Sequence, residues 1–445
     1  MFQEFNKLSS KEWKLKIQAD LKGVDYQSLI SQTPEHIDIK PFYHADDYIA
    51  VKHLVQNNFA IAQELKIANE NIAQKIAKKA LDQGADIFTF QFDNTFDIDK
   101  LIHHLDYDKL IFKADLLDID FLLELFEKTA GKSSILIDPI GHFARYGNWF
   151  ENQEKDFNKI RLLQQKLPDN YIFISISTNV YKDAGAIITQ ELAYALGHAV
   201  EYAENFGKEI LQQMQVDFAI GNHYFFEIAK IKTFKLLWES IVSDYKVQNN
   251  LRIYAQPGIR NKTIFDPYVN MLRSTMEMMS AIIGGADIIA NFPYDKHFKK
   301  TNSFSERIAR NQLIILKNEA HYNEALNSTE GNYYIENISY QLAEKSLDIF
   351  KLIEKSGGFL SQLYKGKIQE KIAKNATKEQ ASFDEGKQVL VGTNKYINEK
   401  EQVEKIDIYP FMKKRKGQTL VPPIVPKRLA EKLEEKRLRN MGIKF

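Results

Sequence analysis

The side chains best suited to chemistry in this 445-residue chain are the pair His103-His104, the amine of Lys182 and the triplet Asp295-Lys296-His297. Adjacent histidines cannot meet one metal from a helix, where ligands stand at i and i+4. No Asp/Glu cluster accompanies the pair at metal spacing, so it reads as exposed polar residues. Lys182 follows a candidate strand, where a barrel lyase or aldolase would place a Schiff-base lysine, but nothing else marks it. The absence of cysteine removes disulfides, thiolate metal sites and thiol nucleophiles together. No G-x-G-x-x-G, G-x-x-x-x-G-K-[ST], H-E-x-x-H or G-x-S-x-G occurs, which leaves nucleotide-binding, zincin and α/β-hydrolase chemistry without support.

The elements that must position these groups follow from hydrophobic period. Short apolar runs alternate with long amphipathic ones, the pattern of βα units on a parallel sheet. Eight strands are expected, at Ile87–Phe92, Leu110–Phe112, Ile135–Asp138, Tyr171–Ser177, Val216–Ile220, Leu251–Ala255, Asp287–Asn291 and Tyr333–Ile335. Helical periodicity fills Asn69–Asp82, Gln190–Glu204, His223–Val242 and Tyr268–Ile283, and Gly284-Gly285 reads as a tight helix-to-strand turn. The expected fold class is α/β: a (β/α)8 TIM barrel with an N-terminal helical and extended arm and a C-terminal helical extension. A doubly wound open sheet is the alternative. The expected divisions are an arm at 1–60, the barrel at 61–358 and an extension at 359–445. On the first expected strand Phe88, Phe90 and Phe92 share one face, and Ile87, Thr89 and Gln91 the other. One set must face the barrel axis, which ordinary barrels fill with side chains.

Composition narrows the function classes. Hydrophobic residues make up 44%, with 29 Phe and 21 Tyr, enough for a large aromatic core. A net charge of +1 argues against general affinity for nucleic acid or anionic membrane. The tail from Lys405 is locally basic, and its helix Lys427–Arg439 reads as a solvated one. No apolar run approaches the roughly 18 residues of a membrane span, and the start MFQEFNKLSSKEW has no secretory apolar region. A cytoplasmic location is expected.

The segment YAQPGIRNKTIFDPYVNMLRSTMEMMSAIIGGADIIANFPYD (Tyr254 to Asp295) resembles the barrel domain of the methylmalonyl-CoA mutases. Matching chains there read Arg-x-His-x-Gln-Thr-Ser-Gly and Leu-His-Thr-Asn. ISISTNVYKDAGA (Ile174 to Ala186) is similar to the family's ISISGYHMQEAGA, and likeness runs from Lys11 to Arg439. The resemblance implies that catalytic chains carry histidines at the places of Val180, Tyr254 and Ala290, so all three imidazoles are missing here. It also implies that the histidine at the place of Val180 bonds the thioester carbonyl, while the tyrosine at the place of Asn179 helps displace the adenosyl group. Valine offers no donor, and losing such a contact typically costs about 10²–10³ in rate. Gln256 matches the family. Asn179, Val180, Tyr254, Gln256 and Ala290 are therefore expected to mark a vestigial pocket, with no catalytic, cofactor-binding or metal residue in this chain.

In the family, cobalt is held by the His of a D-x-H-x-x-G motif. Asp295-Lys296-His297 supplies its first half, but Lys300 replaces the glycine, and DKHFKK is expected to be a solvated loop. No cobalamin-binding domain is expected after the barrel region. In catalytic members small Ser and Thr side chains line an axial channel for the pantetheine arm of CoA, whereas a filled barrel is expected here. The resemblance thus implies the small, non-catalytic subunit of an adenosylcobalamin-dependent methylmalonyl-CoA mutase. It would stabilise a homologous large subunit that carries the cofactor in a heterodimer, the N-terminal arm lying across that partner. The alternative is a substrate-binding catalytic chain served by a separate cobalamin-binding subunit.

Overall fold

A computed structural model of the chain describes residues 7–47, 58–300, 302–324, 327–401, 403, 406–411 and 417–443. Parts of the expected arm and of the basic tail, including Lys405 itself, lie outside the described residues. Eight parallel strands form the centre: β1 (Ala60–Lys66), β2 (Ile87–Phe92), β3 (Leu110–Ala114), β4 (Ser134–Leu136), β5 (Ile174–Ser177), β6 (Met214–Ile220), β7 (Arg252–Pro257) and β8 (Ile288–Ala290). Their hydrogen-bonded order runs β4-β3-β2-β1-β8-β7-β6-β5. A parallel bridge between Ile137 and Ile174 joins the two ends, with Ile137 N–H donating to Phe173 O at 2.9 Å. The sheet is therefore a closed (β/α)8 barrel, and the open doubly wound alternative is excluded.

One expected strand is a helix, and one strand was not expected. Tyr333–Ile335 is not a strand but the first turn of a 23-residue helix, Tyr333–Lys355, whose N-cap Asn332 accepts from Ile335 N–H at 3.1 Å. An aromatic and β-branched triplet imitates a strand, yet the cap and the periodicity after it specify a helix. The missing strand is β1, AIAQELK, which starts inside the expected arm and pairs with β2 and β8. Ala, Gln, Glu and Lys are weak strand formers, so β1 exists because neighbours on both sides complete its ladder.

Outside the barrel lie α1 (Ser10–Asp20), α2 (Glu70–Asp82), α3 (Ile119–Lys128), α4 (Pro139–Tyr146), α5 (Gln153–Lys166), α6 (Ile188–Phe206), α7 (Tyr224–Tyr245), α8 (Val269–Gly284), α9 (Ser303–Asn318), α10 (Tyr333–Lys355), α11 (Lys367–Asp384) and α12 (Glu431–Asn440), with short turns between them. Phe88, Phe90 and Phe112 face these helices and are fully buried, each side chain worth about 1.5–3 kcal/mol of burial. The α8-to-β8 turn needs both its glycines. Gly285 has φ +98°, and a Cβ on Gly284 would meet Ile231 Cβ at 2.9 Å, so α8 lies directly against α7.

The C-terminal extension straps the end of the barrel where the strands finish. Leu420 N–H donates to Gly147 O, Ile424 N–H to Ala144 O, Lys427 N–H to Asp183 O and Leu429 N–H to Arg260 O, each at 2.9 Å. It thereby ties together the loops that follow β4, β5 and β7. No described helix is long and apolar enough to cross a membrane.

Candidate functional site

The inward faces of the strands are set by their pleat. Ala62, Ile111, Leu136, Tyr254, Ile288 and Ala290 form an inner apolar cluster separate from the outer core. Above and below it the axis is polar. Lys113 of β3 extends its ammonium to Glu64 of β1 at 3.1 Å and to Asp217 of β6 at 2.7 Å, and lies 3.6 Å from the ring centroid of Tyr254 on β7. Gln91 donates to Glu64 at 3.1 Å, and Gln215 donates to Asp217 at 2.6 Å. Arg252 donates through Nε to Gln215 at 2.7 Å and through Nη1 to Ser134 Oγ at 3.1 Å. One cation thus bridges four strands across the barrel axis in a largely buried ionic network.

The electrostatics follow from that enclosure. Burial works against the Lys113 charge, but Asp217 and Glu64 outweigh it and raise its pKa. Burial likewise opposes the Glu64 carboxylate, and Lys113 leads the groups that bring its pKa below the ordinary value. Burial, and next the Glu64 charge, push the Tyr254 phenol well up. For Arg252 burial prevails and lowers the pKa to about 10.

The five pocket positions lie on three elements: β7, β8 and the turn after β5. Tyr254 and Ala290 are brought together in the inner cluster, and the Tyr254 hydroxyl lies 3.4 Å from Thr89 Oγ1. Gln256 follows on the same face of β7, its Oε1 enclosed and without a hydrogen-bond partner. Asn179 and Val180 sit on a short turn, Asn179–Lys182, beyond β5. Val180 is buried, and Asn179 Oδ1 is enclosed without a partner. A valine, a phenol and a methyl group leave no imidazole among these positions. Lys113, Glu64 and Asp217 were missed by sequence reasoning. Alternation marks Lys113, two residues after Ile111, as inward-facing; Glu64 was out of reach because β1 itself was not recognised.

The DKHFKK segment is only half solvated. Lys296 and Lys300 are exposed, but Asp295 is buried and accepts from Asn302 at 3.0 Å, and Phe298 packs with Ile264, Phe265, Phe411 and Leu438. That apolar cluster draws the loop inward, which local composition could not foretell. His297 Nε2 is enclosed without a partner, and burial followed by the Arg428 charge lowers its pKa well below the usual value. A nitrogen enclosed there does not fit the role of a ligand reaching out to the cobalt of a corrin. No group of three or more His, Cys, Asp or Glu among the described residues is arranged to hold a metal ion.

Two other clusters stand at the same end of the barrel. His142 Nδ1 is 2.7 Å from Asp115 Oδ1, and the Tyr146 hydroxyl donates to Asp115 Oδ2 at 2.6 Å. These bonds, set against burial, lower the Asp115 pKa. The other is fully buried: Lys230 of α7 pairs with Glu227 at 2.5 Å and Glu191 of α6 at 3.1 Å, and Thr178 donates to Glu191 at 2.7 Å. It fastens α6 and α7 to the strand ends and has no exposed atom with which to meet a substrate.

Comparison with known proteins places residues 128–432 within the sequence model of methylmalonyl-CoA mutase. The methylmalonyl-CoA mutase small subunit of Porphyromonas gingivalis is 30% identical over 445 residues, covering 89% of this chain and 71% of that protein. The methylmalonyl-CoA mutase of Rhizobium meliloti is 34% identical over 52% of this chain, and the large subunit of the Propionibacterium freudenreichii enzyme 31% over 51%. For those two the match spans only about a third of the relative's length, at 34% and 33%.

Proposed function

The chain belongs to the methylmalonyl-CoA mutase family, and we propose that within it the chain acts as the small, non-catalytic subunit. Its partner is a homologous large chain that carries adenosylcobalamin and interconverts methylmalonyl-CoA and succinyl-CoA. The observation that carries this reading is the Lys113 bridge, since an ammonium held by Glu64, Asp217 and the Tyr254 ring occupies the axis that a linear thioester arm would need. Val180 and Ala290 add to it, because neither side chain offers a donor to a developing oxyanion.

The alternative, a catalytic chain with a separate cobalamin-binding subunit, requires both an open axis and a donor near position 180. The Lys113 bridge weighs against the first and Val180 against the second. A cytoplasmic location is part of the same proposal. The test is direct. The purified chain, supplied with adenosylcobalamin and methylmalonyl-CoA, should form no succinyl-CoA and show no calorimetric binding of the thioester. Measurable turnover by the isolated chain would overturn the proposal.

A further inference from the structure

The first half of helix α8 turns an apolar stripe outward, while Met278, Ala281 and Ile282 of its second half join the core. The helix's two charged residues point inward: Arg273 is 8% exposed and Glu277 2%. Glu277 is held by Lys262 at 2.8 Å and Asn261 at 2.6 Å, and Arg273 Nη2 donates to Val391 O at 2.9 Å. The outer stripe is apolar: Leu272 is 67% exposed, flanked by the half-exposed Tyr268 and Met276. A solvated helix shows the opposite arrangement.

The stripe continues on both sides. Gln312 of α9 donates to Met271 O and Thr275 Oγ1, each at 2.7 Å, which sets the half-exposed Phe304 and Ile315 beside it. On the other flank the turn around Val391 is fixed by Arg273 and presents Tyr396, 74% exposed. Tyr396 stands at φ +56°, a left-handed conformation that a bulky residue adopts at a cost, and such strain clusters where it serves contact or function. These six large side chains are each 45–74% exposed, and a concentration of exposed apolar residues of this kind marks an interaction site.

We propose that this α8–α9 face, with Tyr396, is the docking surface for the large mutase chain. The proposal rests on the subunit reading above. Interface cores are depleted in charge, as the exposed α8 stripe is, with cations on its flanks where Arg307 lies over the Phe304 ring and Lys395 over the Tyr396 ring, and its position agrees with the arm's. Tyr43 lies 5.2 Å from Tyr334, and Tyr334 lies 5.5 Å from Phe225 on α7, the helix against which α8 packs. One partner can therefore cover arm and patch together.

The experiment co-expresses this chain with the large mutase chain of the same organism and measures their affinity by titration and light scattering. Leu272→Glu and Tyr396→Asp, both at exposed positions, should each weaken association at least about 30-fold with an unchanged melting temperature. Ile72→Glu, on the exposed side of α2, should change nothing. Unchanged affinity in the first two variants overturns the proposal. Self-association of the chain alone that Leu272→Glu abolishes would make the occupant a second copy and overturn the assignment to the large chain. If the wild-type chain never associates with the large chain, the subunit reading itself falls, an outcome distinct from failure of the patch.

Discussion

Lys113 concentrates more of the interior's electrostatics than any other inner side chain described, because Glu64, Asp217 and Tyr254 all depend on its charge. Replacing it with alanine removes the one cation that contacts both Glu64 and Asp217 directly. Breaking a buried pair from one side typically costs about 3–5 kcal/mol, and denaturant unfolding of Lys113→Ala should show a loss of that order. A loss under about 1 kcal/mol would mean that water already screens the site. Asp183 gives a prediction in pH. It is buried and accepts from Ile259 N–H at 2.8 Å, and burial raises its pKa from 3.8 to about 6. The fold therefore favours the protonated form. The stability this group contributes is complete below about 3.8 and is lost as pH rises through about 6. Asp183→Asn stays neutral and should be more stable than wild type at pH 8, by up to about 3 kcal/mol, while matching it near pH 3.5. Equal pH profiles in the two proteins would refute this.

At the scale of elements, α6 and α7 are held to the strand ends by polar bonds as well as apolar packing. Lys230 is fully buried between Glu191 and Glu227 and also donates to Ala219 O at 2.7 Å. Lys230→Ala leaves both carboxylates and a carbonyl buried without their donor, so it should destabilise by about 3–5 kcal/mol. Thermal melting monitored by far-ultraviolet dichroism checks it. Lys230→Met together with Glu191→Gln, which leaves Glu227 as the one charged carboxylate of the network with Lys182 at 3.7 Å as its cation, should recover part of the loss. No recovery would show that the network's value lies in its geometry rather than its charge balance.

For the whole molecule, the proposed division between a barrel and an attached arm bears on the proposed assembly. Helix α1 buries none of its residues, Trp13 remains largely exposed, and its ring contact is with Phe42 of the same arm at 6.2 Å. Deleting residues 1–30 should therefore leave the barrel's melting transition nearly unchanged. If the arm lies across the partner, the same deletion should reduce affinity for the large chain at least tenfold, since buried aromatic anchors dominate many interfaces. Association of the truncated chain at full affinity would remove the arm from the interface and leave the α8–α9 face to account for it.

The sequence by itself determined what is written within about ten residues of any position. The alternation of strands and helices, the α8–β8 glycine turn, the family motifs and the identities at Val180, Tyr254 and Ala290 all belong there. Local pattern also erred locally, in reading Tyr333–Ile335 as a strand and in overlooking Ala60–Lys66, whose ladder bonds come from β2 and β8. Only the tertiary structure decided which strand faces turn inward, how the Ile137–Ile174 bridge closes the barrel, and what fills its axis. Glu64 and Lys113 are 49 residues apart, and Thr89 and Tyr254 are 165 apart. The free energy of such pairs is gained only once the closed barrel has excluded water around them. Periodicity places a lysine on the inner face of β3; whether it is a solvated charge or the cation that closes a barrel depends on residues the chain brings to it from far away.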